Sequence, residues 1–131
     1  MKAIGLVMVA LLATSAKARP TCPAGLQPAR TAELFFGLEE SGRLLSDAEW
    51  NGFLDSEVTP RFPDGLTVWD ARGQWRPTNG MLTREPARVM LIVLTGRHDE
   101  RARLAAVIGA YKTRFHQKSV LLVEHGDCAS F

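Results

Sequence analysis

Two cysteines, one tyrosine and three histidines are all that 131 residues supply of those types, and each scarcity closes a line of chemistry. Two cysteines with no C-x-x-C pair make neither a zinc ribbon nor a thiol redox centre. The histidines, His98, His116 and His125, have no His, Cys or carboxylate four residues away in a ligand pattern, so no metal site is expected. There is no G-x-S-x-G elbow, no glycine-rich phosphate loop and no Cys-His constellation, which removes the common hydrolase and kinase readings. The one long apolar run, Ala3 to Ala13, has 11 residues and falls short of the roughly 20 that span a bilayer.

That run reads instead as the apolar part of an export leader. Lys2 precedes it, and Ala16-Lys17-Ala18 follows as a small-x-small cleavage pattern. Residues 1–18 are therefore expected to be a signal peptide, and the mature chain to be periplasmic or secreted. Without Lys2 and Lys17 the 16 basic residues become 14, against 14 acidic ones. A neutral domain lacks the phosphate-neutralising excess of a nucleic-acid binder, and none is expected as a partner. No membrane association is expected once the leader is removed.

In an oxidising compartment Cys22 and Cys128 are expected to pair, closing a loop of roughly 105 residues. The composition of the 131 residues, 46% apolar and 23% charged, suits one globular domain. Residues 19–30 are proline-rich and expected to be irregular, 31–125 form the domain, and 126–131 are a tail. Thr31 to Leu38 alternates like a strand. Ser46-Asp47-Ala48-Glu49 is a capping box that opens a helix with Trp50, Phe53, Leu54 and Val58 on one stripe, stopped by Pro60. A strand starts at Leu66, and Asn79-Gly80 marks a two-residue hairpin into a strand from Met81 to Leu94. Asp99 to His116 is a helix with Leu104, Ile108, Tyr111 and Phe115 as its core stripe. Ser119 to Glu124 is the last strand. The order β-α-β-β-α-β predicts an α+β fold, a ferredoxin-like sandwich with an antiparallel sheet and two helices on one face.

The segments TAELFFGL (31–38), TPRFPDGLTVWD (59–70), Gly73-Gln74-Trp75, Arg84-Glu85-Pro86 and YKTRFHQKSV (111–120), with Trp50, resemble the bacterial family catalogued as domain of unknown function 3574. The resemblance covers about residues 30–124 and leaves out both cysteines. It implies no activity, so catalytic residues stay unknown and no cofactor is implied.

Two relatives by topology are disfavoured on particular residues. An RNA-recognition motif needs aromatics on the third strand, and RVMLIVL (88–94) has none. An acylphosphatase needs a basic phosphate loop where this chain has Glu39-Glu40-Ser41-Gly42.

A two-residue turn at Asn79-Gly80 makes opposed positions sum to 159, with Trp69 opposite Met90 and Trp75 opposite Arg84. Leu66, Val68, Val89, Leu91 and Val93 then share the helix side. Trp69, Trp75, Arg84, Arg88, Met90 and Ile92 share the other face with Phe35 and Glu33, unless a bulge at Gly73 or Pro86 inverts part of it. So large an apolar face must be covered, by a second copy of the chain, by a ligand under the hairpin of residues 73–86, or by the proline-rich segment. Arg61, set between Pro60 and Pro63, is a candidate anion ligand, its competing role being a structural pair with Asp64, Glu57 or a carbonyl. The expected ligand-binding set is Arg61, Trp69, Trp75, Arg84 and Arg88. The leading reading is a module that dimerises through its sheet and binds a small, partly apolar anion. The alternative is a metal-independent enzyme of the dimeric α+β barrel type using Glu33, Arg84, Glu85 or Tyr111, although Tyr111 more naturally serves the core.

Overall fold

A computed structural model describes residues 21–78 and 80–131. The leader expected at 1–18 and Asn79 of the expected turn lie outside the described residues. In chain order the elements are β1 (Gln27–Gly37), the short strands β2 (Glu39–Glu40) and β3 (Arg43–Leu44), α1 (Asp47–Phe53), β4 (Thr67–Trp75), β5 (Thr83–Leu94), α2 (Glu100–Arg114) and β6 (Leu121–Ala129). The four long strands form one antiparallel sheet in the order β4-β5-β1-β6, with β2 and β3 as a separate hairpin. This is the expected ferredoxin-like βαββαβ sandwich.

The start of α1 follows from four residues. Ser46 Oγ accepts from the Glu49 amide at 3.2 Å while the Ser46 amide donates to Glu49 Oε2 at 2.9 Å, so two otherwise unpaired donors are satisfied. After Phe53 the helix widens into a π-helical turn, Leu54–Val58, closed by the Thr59 amide donating to the Leu54 carbonyl. The extra residue of that turn brings Phe53 and Val58 onto one side and leaves Leu54 only partly buried. In α2 the buried stripe is Leu104, Val107 and Tyr111, with Ile108 at its margin. The buried Glu100 carboxylate accepts from the Thr95 and Gly96 amides at 2.6 and 3.0 Å and so fastens the start of α2 to the end of β5.

Both helices pack on the face formed by Ala32, Leu34 and Phe36 of β1 and Met90, Ile92 and Leu94 of β5. Tyr111 sits at the centre of an aromatic cluster, with ring centroids 4.7 Å from Phe36, 5.1 Å from Phe53 and 4.9 Å from Phe115. Its hydroxyl donates to the Gly37 carbonyl at 2.8 Å.

The β4–β5 register differs from expectation by one residue. Opposed positions sum to 158, so Trp69 faces Val89, Gln74 faces Arg84, Trp75 faces Thr83 and Val68 faces Met90. The pairing runs without a bulge at Gly73 or Pro86. Its cause is the loop, which spans residues 76–82 and turns with the Gly80 amide donating to the Pro77 carbonyl. An odd number of loop residues shifts the pairing parity that a two-residue turn would set. Consequently Met90 and Ile92 belong to the helix-side core, and Val89, Leu91 and Val93 lie on the open face with Trp69 and Trp75.

Strand ends also extend further than expected. Gln27 to Arg30 belong to β1, and Gly126 to Ala129 belong to β6, where the two strands pair from Gln27↔Ala129 to Phe35↔Leu121. Before β1 the chain reverses in a turn held by the Leu26 amide on the Pro23 carbonyl, with Gly25 at φ +85°, a backbone region that favours glycine. The reversal brings Cys22 to Cys128, and the two form a disulfide with Cα atoms 5.7 Å apart.

Candidate functional site

The register across the sheet arranges the open face in rows. One row, Trp69–Val89–Phe35–Leu121, is wholly apolar. Val89 is buried beneath its neighbours, whereas Trp69 is 42% and Leu121 58% exposed. The next row toward the β4–β5 hairpin is Ala71–Ala87–Gly37, and the one after it pairs Gly73 with Glu85. Beyond these stands Trp75, 47% exposed. Two indoles on one edge strand, six residues and so about 20 Å apart, thus bracket a floor of small residues.

Glu85 lies in that floor. A Cβ added to Gly37 would stand 2.8 Å from Glu85 Oε1, so Gly37 makes the room in which the carboxylate rests, whereas one added to Gly73 would meet Glu85 Cγ at an ordinary 3.8 Å. Burial raises the Glu85 pKa above its ordinary 4.5, and the charge of Glu39 raises it further. Among the described residues no cation offsets either effect. Pairing places Glu33, Glu85, His125 and Asp127 on this face, and no strand residue on it is Lys or Arg. Of these, His125 Nε2 stands 3.6 Å from Glu33 Oε1.

The five residues expected to bind a ligand do not converge. Trp69 and Trp75 are on the open face. Arg88 is on the other, its guanidinium 5.1 Å from the Trp50 ring centroid and paired with Asp47 of α1 and with Asp70 of β4. Arg84 is also on that side and donates to Gln74 Oε1 at 3.0 Å. Arg61 donates to the carbonyl and carboxylate of Glu57, and its own carbonyl accepts from Arg103, which is the structural role set against its binding role above. The one-residue register shift is the physical reason: it moved the arginines of β5 to the helix side and left the tryptophans behind.

Tyr111 is core, its hydroxyl satisfied by Gly37 and its pKa raised mainly by burial, so it holds its proton. Below it, His116 Nδ1 lies 2.7 Å from Glu40 Oε1, Arg43 pairs with Glu40 and Glu49, and Gln117 donates to the Glu39 carbonyl. These contacts fasten the β2–β3 hairpin to the end of α2. Among the described residues no three His, Cys, Asp or Glu side chains gather as metal ligands, and no helix is long and apolar enough to cross a membrane. The basin itself escaped sequence reading, although the signal was present: small residues at 71, 73, 87 and 37 become one floor only in the observed register.

Two solved structures of a phage SAM lyase share this fold. The complex with S-methyl-5'-thioadenosine matches at a TM-score of 0.58 and 18% identity, covering 88% of this chain and 95% of that one. The apo form matches at 0.59 and 15% identity, over 87% and 95% of the two chains. No curated protein matches by sequence. The sequence pattern of the family described as "Protein of unknown function (DUF3574)" matches residues 31–131, a span that takes in Cys128 and leaves Cys22 outside. Covering more than half of the sequence, that match assigns the chain to this family.

Proposed function

We propose that this protein is an exported small-molecule-binding domain whose working surface is the open face of the sheet, closed by a second copy of the chain. The observation that carries the reading is the apolar row through Trp69 and Leu121, left open beside a floor of small residues between two indoles. Each Å2 of apolar surface removed from water is worth about 25 cal/mol, so covering this row is favourable. The described part of the proline-rich segment does not compete for the place, since it is bridged to β6 at the far edge from β4. The Cys22–Cys128 bridge suits an oxidising compartment, which supports export.

The likeness to a lyase bound to S-methyl-5'-thioadenosine supports the choice of ligand size, a nucleoside carrying a short apolar thioether arm. It also favours a second reading, a metal-independent enzyme acting on a sulfonium nucleoside. Among the residues weighed for proton transfer, Tyr111 and Arg84 are committed to protein partners, which leaves Glu85 and Glu33 facing the open side.

Sedimentation and calorimetric titration with S-methyl-5'-thioadenosine test the proposal together. Self-association of the mature chain, lost in Trp69→Lys, and saturable binding are expected. A monomer that binds nothing overturns it. Release of S-methyl-5'-thioadenosine from S-adenosylmethionine would establish the enzymatic reading instead.

A further inference from the structure

We infer that the ligand of the open face is a small organic cation, its positive centre held at the Glu85 carboxylate and its planar part laid between Trp69 and Trp75. This rests on the small-molecule reading above and specifies its ligand class. The charge distribution carries it. The Asp, Glu, Lys and Arg side chains that the strands place on this face are all carboxylates, Glu33, Glu85 and Asp127, with His125 set beside Glu33, and Glu39 adds to the field at Glu85. The sequence neighbours that would neutralise Glu85, Arg84 and Arg88, leave the sheet on its other side and are held there by Gln74, Asp47 and Asp70. Among the described residues Glu85 has no ion-pair partner, yet its place is built: a Cβ on Gly37 would stand 2.8 Å from Oε1.

A carboxylate set in small-residue ground beside exposed indoles recognises one chemistry well. Indole faces attract cations through the ring quadrupole and stack on planar rings, while the carboxylate supplies the countercharge. Sulfonium and quaternary-ammonium centres fit best, because they carry charge on a weakly hydrated, methyl-covered surface. At Glu85 an anion would meet a carboxylate with no arginine or lysine of the sheet face to offset it, so the polarity there is the opposite of what the expected arginine set suggested.

The test uses two probes that differ by one methyl group and one charge, S-methyl-5'-thioadenosine and its S-methylated sulfonium, titrated at pH 7.5 into the mature disulfide-bonded chain. The wild type is expected to prefer the sulfonium by about tenfold. In Glu85→Gln the ratio of the two affinities should fall close to one. Gly37→Ala, whose Cβ displaces a flexible carboxylate end rather than backbone, should lower the ratio with the far-UV circular dichroism unchanged. Equal wild-type affinity for the two probes overturns the inference and leaves the small-molecule reading standing. So does a Glu85→Gln variant that loses self-association while keeping its ratio, since the countercharge would then come from a second copy. Binding of neither probe overturns both.

Discussion

At Glu49, Arg43 donates to the carboxylate and Ser46 donates through its backbone and hydroxyl, which together hold the pKa down to about 2. Glu85 moves the other way, raised by burial and by Glu39. The signs for stability are therefore opposite. The contribution of Glu49 is fully present above the ordinary 4.5 and is lost as pH falls toward 2. Ionised Glu85 is penalised by folding, so its penalty stands at neutral pH and is relieved as pH falls through its raised pKa to below 4.5. Urea midpoints should show Glu85→Gln more stable than wild type at pH 7, with the difference closing under acid. A gap that widens on acidification would contradict the assignment. Tyr111 gives a simpler case: Tyr111→Phe removes the donor to Gly37 and should cost about 1 kcal/mol without altering the fold, because the ring keeps its neighbours.

Arg88 joins three elements, standing on β5, stacking over Trp50 of α1 and pairing with Asp47 and Asp70. Both aspartates are largely exposed, which discounts the ion pairs, so stacking and packing dominate and Arg88→Ala should cost about 1–2 kcal/mol in chemical denaturation. The register sharpens a second comparison at this scale. Met90 is fully buried and Leu91 lies half-buried on the open face, so Met90→Asp should unfold the domain while Leu91→Asp should leave it folded. The reverse outcome would restore the register expected from Asn79-Gly80. What the sequence disclosed and what it withheld divide along the same line. The capping box was legible because it is complete within four residues, and most of the two helix stripes was legible because their period is local, whereas Leu54 and Ile108 sit at the margin of the core and Val107, outside the expected stripe, lies within it. The hairpin was not, because parity depends on the whole loop from 76 to 82, and a single residue exchanges the faces of Met90 and Val89. The expected set divides on the same register: Trp69 and Trp75 lie on the open face as expected, while Arg84 and Arg88 lie on the helix side, away from the tryptophans they were expected to join.

Across the whole molecule, the disulfide fixes the relation between the chain before β1 and the end of β6. Among the described residues that edge strand pairs with β1 alone, Pro28 facing Cys128, and most of its residues from His125 onward are exposed. The bridge spans 106 residues of sequence, and on the chain-entropy account closing such a loop is worth about 4–5 kcal/mol through the unfolded state. A local role would look different, with the bridge merely preventing the outer half of β6 from peeling away. The double variant Cys22→Ser, Cys128→Ser separates them. Restriction of the unfolded chain predicts a loss of about 4–5 kcal/mol in global stability, with amide exchange accelerated throughout, including at Leu34 and Ile92 in the centre of the sheet. Local pinning predicts a global loss below about 1 kcal/mol, with exchange accelerated only from His125 to Ala129. The large sequence separation favours the first outcome. Protection retained at Leu34 and Ile92 in the double variant would overturn it and confine the bridge to the edge of the sheet.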